Sequence, residues 1–191
     1  MDDDLRPNKA EKEFLTLSYN RFYDIFDEVM NDAFWEKSRP HRFSKIKDGF
    51  AVYAELLNYE PIKWAIDHLR SSRPPMEAVI GGELFQVIRN IVFHFPFFDS
   101  WDEVWVSKTI INWNRCGQTI DRFLKKHAGK DSVKYRFWEP DKKKMTYVSI
   151  DFPKQYKEDE KIYLSEILSE KEGVKFSFVL MRQIIDTQVE Q

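Results

Sequence analysis

The chain has 191 residues, room for about one ordinary domain with a sizeable core. Its 42% hydrophobic and 32% charged residues, with 16 Phe, 8 Tyr and 6 Trp, exclude wholesale disorder, and only 6 Gly and 8 Pro argue against a turn-rich sandwich or barrel. The single cysteine, Cys116, rules out an internal disulfide framework and a cysteine-held zinc, while a net charge of −2 names no partner by itself.

The opening MDDDLRPNKAEKE has neither a basic start nor an apolar stretch, so no secretory signal is expected there. A reducing, cytoplasmic setting without membrane insertion is the corresponding expectation, because even IRNIVFHFPFF is too short to span a bilayer. Residues 8–37 read as one long amphipathic helix, with Leu15, Phe22, Ile25, Phe26, Val29 and Trp35 at helical spacing. Ser38-Arg39-Pro40 is expected to end it, since proline disfavours helical geometry in the preceding residue. Ser44 is the expected cap of a second helix over 45–58, and Pro61 the first turn of a third over 61–71.

After the loop SSRPP, a helix is predicted over 75–95, with Gly81 and Gly82 either permitting close packing or marking a break. Ser100 and Glu103 have capping-box spacing, which predicts a helix running to about 127 and closed by Ala128-Gly129-Lys130. The pattern then switches to period two. Val133, Tyr135 and Phe137, then Tyr147, Ile150 and Phe152, flank the turn-like EPDKKK and predict a β-hairpin of 133–139 and 145–152. A last helical segment, 159–189, is expected to break near Gly173. The fold class is therefore mainly α: an up-and-down helical bundle over 8–127, a small hairpin insertion over 128–153, and a C-terminal helical segment over 154–191 that packs on the bundle.

Charge is unevenly spread. Residues 1–37 carry 5 basic and 10 acidic side chains, whereas residues 108–136 carry 8 basic and 2 acidic ones. Within the basic stretch Arg115, Arg122, Lys125 and Lys126 fall near helical i, i+3, i+4 and i+7 spacings. Such a segment is either a polyanion footprint or an ordinary solvated helix face.

There is no Gly-rich phosphate loop, no GxSxG elbow and no HExxH pair, and no metal or other cofactor is expected. Cys116 has no identifiable base, and His41, His68 and His127 each stand alone, as surface or boundary residues do. The segment GGELFQVIRNIVFHF at 81–95 is different. At 100° per residue, Leu84, Phe85, Val87, Ile88, Ile91, Val92 and Phe95 share one face, while Glu83, Gln86, Arg89, Asn90 and His94 share the other, with Phe93 intruding. Asn90 and His94 are neighbours at i and i+4, so an amide can orient an imidazole. Arginine grips phosphate oxygens through its planar fork, and histidine moves protons near neutral pH.

The hexapeptide R-N-I-V-F-H at 89–94 resembles the Arg-x4-6-His signature of the HEPN superfamily, and the helices around it resemble that family's bundle over 8–127. The resemblance implies a metal-independent endoribonuclease, of the kind found in toxin–antitoxin, phage-defence or RNA-processing systems. It also implies a homodimer in which two copies of the motif line one cleft. By position, Arg89 and His94 would be the catalytic pair and Asn90 their support. The reaction implied is attack of an RNA 2′-hydroxyl on the adjacent phosphate, a nucleophile that DNA lacks. The alternative is a non-catalytic helical binding or dimerisation module, a partner of a toxin or of a nucleic-acid enzyme. The partners expected are thus RNA, a second copy of the chain, and an antitoxin or regulatory protein.

Overall fold

The computed structural model describes residues 7–73, 75–94, 98–111, 115–139 and 143–189; side chains 75–77, 94, 110, 111, 115–117, 137, 139, 188 and 189 lie outside that description. The protein is mainly α with a β-hairpin. The described elements are helices α1 (Lys9–Met30), α2 (Arg39–Leu56), α3 (Glu60–Ser72) and α4 (Pro75–His94), then strand β1 (Trp105–Ser107). Helices α5 (Lys108–Ile111) and α6 (Arg115–His127), strands β2 (Val133–Glu139), β3 (Lys144–Ile150) and β4 (Lys161–Tyr163), and helices α7 (Leu164–Ile167) and α8 (Glu170–Val189) follow. No helix among the described residues is long and apolar enough to cross a membrane.

The chain groups into two compact units, Met1–Pro75 with Phe178–Gln191, and Met76–Ser177. In the first unit, α1 opens with a reciprocal cap: Asn8 Oδ1 accepts from the Glu11 N–H at 3.0 Å, and the Asn8 N–H donates to Glu11 Oε2 at 2.7 Å. Leu15, Phe22, Ile25, Phe26 and Val29 bury one face of this helix, as the spacing predicted. The helix stops short of residue 37, because Asn31 leaves helical geometry and its side chain caps a 3-10 turn, Asp32–Glu36. Ser38 and Pro40 then start α2 instead of merely ending α1. Proline has no N–H to lose in a first turn, so the signal that stops one helix begins the next. Phe178 stacks on Phe22 with ring centres 6.2 Å apart and meets Phe50 edge-on at 6.2 Å. The Tyr23 hydroxyl donates to Asp186 at 2.5 Å, tying α8 to α1 beside that aromatic cluster.

The second unit departs further from the sequence expectation. Ser100 forms no side-chain cap, and the helix expected over about 101–127 is a short 3-10 turn, β1, α5 and α6. Strand β1 is extended because it has a partner: Trp105, Val106 and Ser107 pair antiparallel with Tyr163, Ile162 and Lys161. Short apolar runs are ambiguous between helix and strand, and here a distant pairing decides. The break in the last segment is at Leu168, not Gly173. Gly173 lies inside α8, where a Cβ would come within 2.5 Å of the Trp101 ring; the Trp101 indole N–H donates to the Leu168 carbonyl at 2.9 Å. Strands β2 and β3 pair antiparallel from Val133↔Ile150 to Glu139↔Lys144, as the period-two pattern predicted. The inner face of this ribbon buries Tyr135, Val148 and Ile150. Tyr135 meets Phe176 edge-on at 4.9 Å and lies against Gly81, where an added Cβ would stand 2.5 Å from the ring. Gly81 thus permits close packing in an unbroken α4, while Gly82 faces open space.

Candidate functional site

Helix α4 carries the R-N-I-V-F-H hexapeptide on its last turns. Its apolar face is core, with Leu84, Val87, Ile88, Ile91 and Val92 all buried. That burial orients the opposite face, because a helix held along one stripe cannot rotate. Arg89 is half-buried on this opposite side. Its guanidinium carbon lies 5.8 Å from the centre of the Phe93 ring, one turn further on, and its Nε is buried without a hydrogen-bond partner. A desolvated donor without a partner is costly unless something accepts from it, so this one favours an anionic acceptor. Phe93, the intruder on the polar face, is thereby the surface on which the guanidinium lies.

Asn90 is 8% exposed, which corrects its placement on a solvated polar face. It lies one residue, about 100°, round the helix from Arg89, at the margin where the burial of neighbours decides. A buried amide is held more rigidly than a solvated one. His94 is the last residue of α4, about 7.5 Å of axial rise beyond Arg89, and its side chain lies outside the described residues.

Glu83, near the start of the same polar face, forms a cluster with the end of α6. Its Oε1 accepts from Lys126 Nζ at 2.7 Å and its Oε2 from His127 Nε2 at 2.8 Å. Burial pushes the Glu83 carboxyl up, but hydrogen bonds from Lys126 and His127 outweigh it and hold the group below its ordinary value. His127 is only 2% exposed, not a surface or boundary residue. Its ring stacks on Phe152 at 5.0 Å and lies 4.8 Å from Phe123, and its Nδ1 is buried without a hydrogen-bond partner. A bare nitrogen is better tolerated there than an unsatisfied N–H, so the ring proton belongs on Nε2, facing Glu83. Nothing in the sequence marked this cluster, since its members lie 43 and 44 residues apart.

The basic residues singled out on α6 are not equivalent. Lys126 is held by Glu83, and Lys125 pairs with Asp121 at 2.7 Å one turn before it. Asp121 also accepts from the Tyr156 hydroxyl at 3.1 Å; burial, then the Asp121 charge and this hydrogen bond, push that phenol's pKa up. Arg122 is exposed, and Arg115 opens the helix with its side chain outside the described residues, as is that of Cys116. The structure therefore brings Glu83, Lys126 and His127 together, while Arg89 and Asn90 are neighbours on α4 only. Among the described residues no three His, Cys, Asp or Glu side chains converge as metal ligands. No known family model, curated protein or solved structure matches the chain.

Proposed function

We propose that this chain is a HEPN-type, metal-independent endoribonuclease that works as a homodimer. What supports the reading is Arg89: its Nε is a buried donor without an acceptor, on a core-anchored helix that ends at His94. In this reading the Arg89 fork takes the oxygens of the scissile phosphate and stabilises the charge that builds there. His94 moves the proton of the attacking 2′-hydroxyl or of the leaving oxygen. Asn90, buried one turn before His94, holds the imidazole in register. Arg115, Arg122, Lys125 and Lys126 guide RNA toward the cleft. The pairs that hold the two lysines are surface pairs worth about 0–1 kcal/mol, little enough to yield to a phosphate. A cytoplasmic protein of a toxin–antitoxin or phage-defence system is the setting that the family resemblance suggests, with an antitoxin or regulatory protein as a further partner.

The second reading is a non-catalytic helical binding or dimerisation module. The burial of Asn90 favours it, since a buried amide also serves as a packing element. The test is cleavage of a mixed RNA by purified protein in EDTA, wild type against His94→Ala, matched for melting temperature and oligomeric state. His94→Ala is expected to lose about 10²–10⁴-fold in rate. Arg89→Ala is expected to be comparably damaged, and Arg89→Lys to rescue poorly, because a point charge does not replace a two-pronged donor. Equal cleavage by wild type and His94→Ala rejects the assignment. No cleavage by either across pH selects the module, and a strictly monomeric wild type at tens of micromolar counts against the composite dimer site.

A further inference from the structure

The hairpin has two faces of opposite character. Its inner face is buried through Tyr135, Thr146, Val148 and Ile150. Its outer face is set by the register: Lys134 opposite Ser149, Arg136 opposite Tyr147, and Trp138 opposite Met145. Trp138 is 47% exposed, Tyr147 58% and Met145 44%. Lys134 and Arg136 are exposed on the same face, Lys143 is exposed at the turn, and none of the six outward residues is acidic.

We infer that this outer face binds single-stranded nucleic acid by stacking bases on Trp138 and Tyr147 while Lys134 holds a phosphate. The inference rests on the RNA reading above for the choice of RNA. Three observations carry it. First, the occupant is anionic, since Lys134 and, at the turn, Lys143 are exposed here and none of the six paired outward residues is acidic. Second, the occupant must offer flat apolar surfaces, since two large rings are left in water beside those cations. Trp138 and Tyr147 are diagonal cross-strand neighbours, about 7–8 Å apart at the backbone, which leaves each ring free to take a separate base. A chain of unpaired bases on a phosphate backbone meets both demands, whereas a duplex hides its base faces. Third, the platform is rigid. Tyr135, wedged against Gly81 and Phe176, fastens the ribbon from behind.

The experiment measures affinity of the full chain for a fluorescent single-stranded oligouridylate of about a dozen nucleotides, made with 2′-O-methyl sugars so that it cannot be cleaved by 2′-hydroxyl attack. The same strand in a duplex is the comparison. Wild type is expected to prefer the single strand, and Trp138→Ala with Tyr147→Ala to weaken it by roughly 20-fold or more. Tyr147→Phe alone is expected to stay within about two-fold, because stacking does not need the hydroxyl. Lys134→Glu is expected to weaken binding and to flatten its salt dependence, by loss of a phosphate contact. All three side chains changed, Trp138, Tyr147 and Lys134, are exposed, so melting temperatures should hold.

Unchanged affinity in the double variant, preference for the duplex, or no binding by wild type overturns the inference. A wild-type dimer that the double variant converts to monomer, with affinity unchanged, overturns it in favour of a contact between copies. Loss of binding in the ribbon variants while neither wild type nor His94→Ala cleaves RNA keeps the platform and rejects the nuclease. Cleavage that depends on His94 with affinity unmoved by the ribbon variants does the reverse.

Discussion

Helix α6 and the hairpin that follows it are the two basic regions of the second unit, and they dispose of their charge differently. On α6 the cations near the helix end are neutralised locally, Lys125 by Asp121 and Lys126 by Glu83. On the hairpin Lys134 is exposed on the outer face with Trp138 and Tyr147, and none of the six paired outward residues is acidic. By sequence the two regions belong to one basic stretch, 108–136. The difference teaches that local charge density is a poor guide to a binding surface. What matters is whether the tertiary neighbours of each cation are carboxylates or solvent, and whether apolar rings stand beside it. Lys126 is opposed by a carboxylate 43 residues away, a partner that no count along the chain could supply.

Three perturbations bear on this comparison. The largest effect is expected from Tyr135→Ala. It removes the buried ring that fastens the hairpin to Gly81 and Phe176 and is expected to cost about 3–5 kcal/mol, the range for emptying an aromatic site. Chemical denaturation measures it; a loss under 1 kcal/mol would mean that the ribbon is held by something other than its inner face.

The next effect is that of Glu83→Gln, which removes the charge that organises the end of α6. The folded-state pKa of Glu83 lies below its ordinary value of 4.5, so the carboxylate's contribution is present in full above that value. It is lost as pH falls through the lowered folded-state value. The stability gap between wild type and Glu83→Gln is therefore expected to be open at pH 7 and to close as pH falls below 4.5 and through the lowered folded-state value. Melting curves across that range check it, and a gap that widens toward acid would contradict the arrangement. The smallest effect is expected from Lys125→Met. Its partner Asp121 keeps the Tyr156 hydroxyl, and an i, i+4 surface pair is worth about 0.3–0.5 kcal/mol. A melting-temperature change of more than a few degrees would show that α6 depends on this pair.

Much of the fold is legible in the residues because the causes are local. The apolar spacing of Leu15 to Val29, the proline at the start of α3, and the period-two run of the hairpin act through nearest neighbours on one helix face or one strand pair. So does the placement of Arg89 and His94 on a single helix with a buried stripe behind it. The misread elements have distant causes. Trp105–Ser107 is a strand because Lys161–Tyr163 lies beside it, and Gly173 stays helical because its missing Cβ leaves room for Trp101.

The same division holds at the candidate site. The amino-acid sequence by itself determines that Arg89, Asn90 and His94 follow one another on a helix, because helical geometry converts spacing into position. Only the tertiary structure decides that Asn90 is buried and that His127 is enclosed by Phe123 and Phe152 with Glu83 on its Nε2. It alone leaves Trp138 and Tyr147 in water while Tyr135, on the same ribbon, is enclosed. The physical reason is that burial and ion pairing depend on which side chains from remote segments fill the space around a group, and that space exists only once the chain has folded.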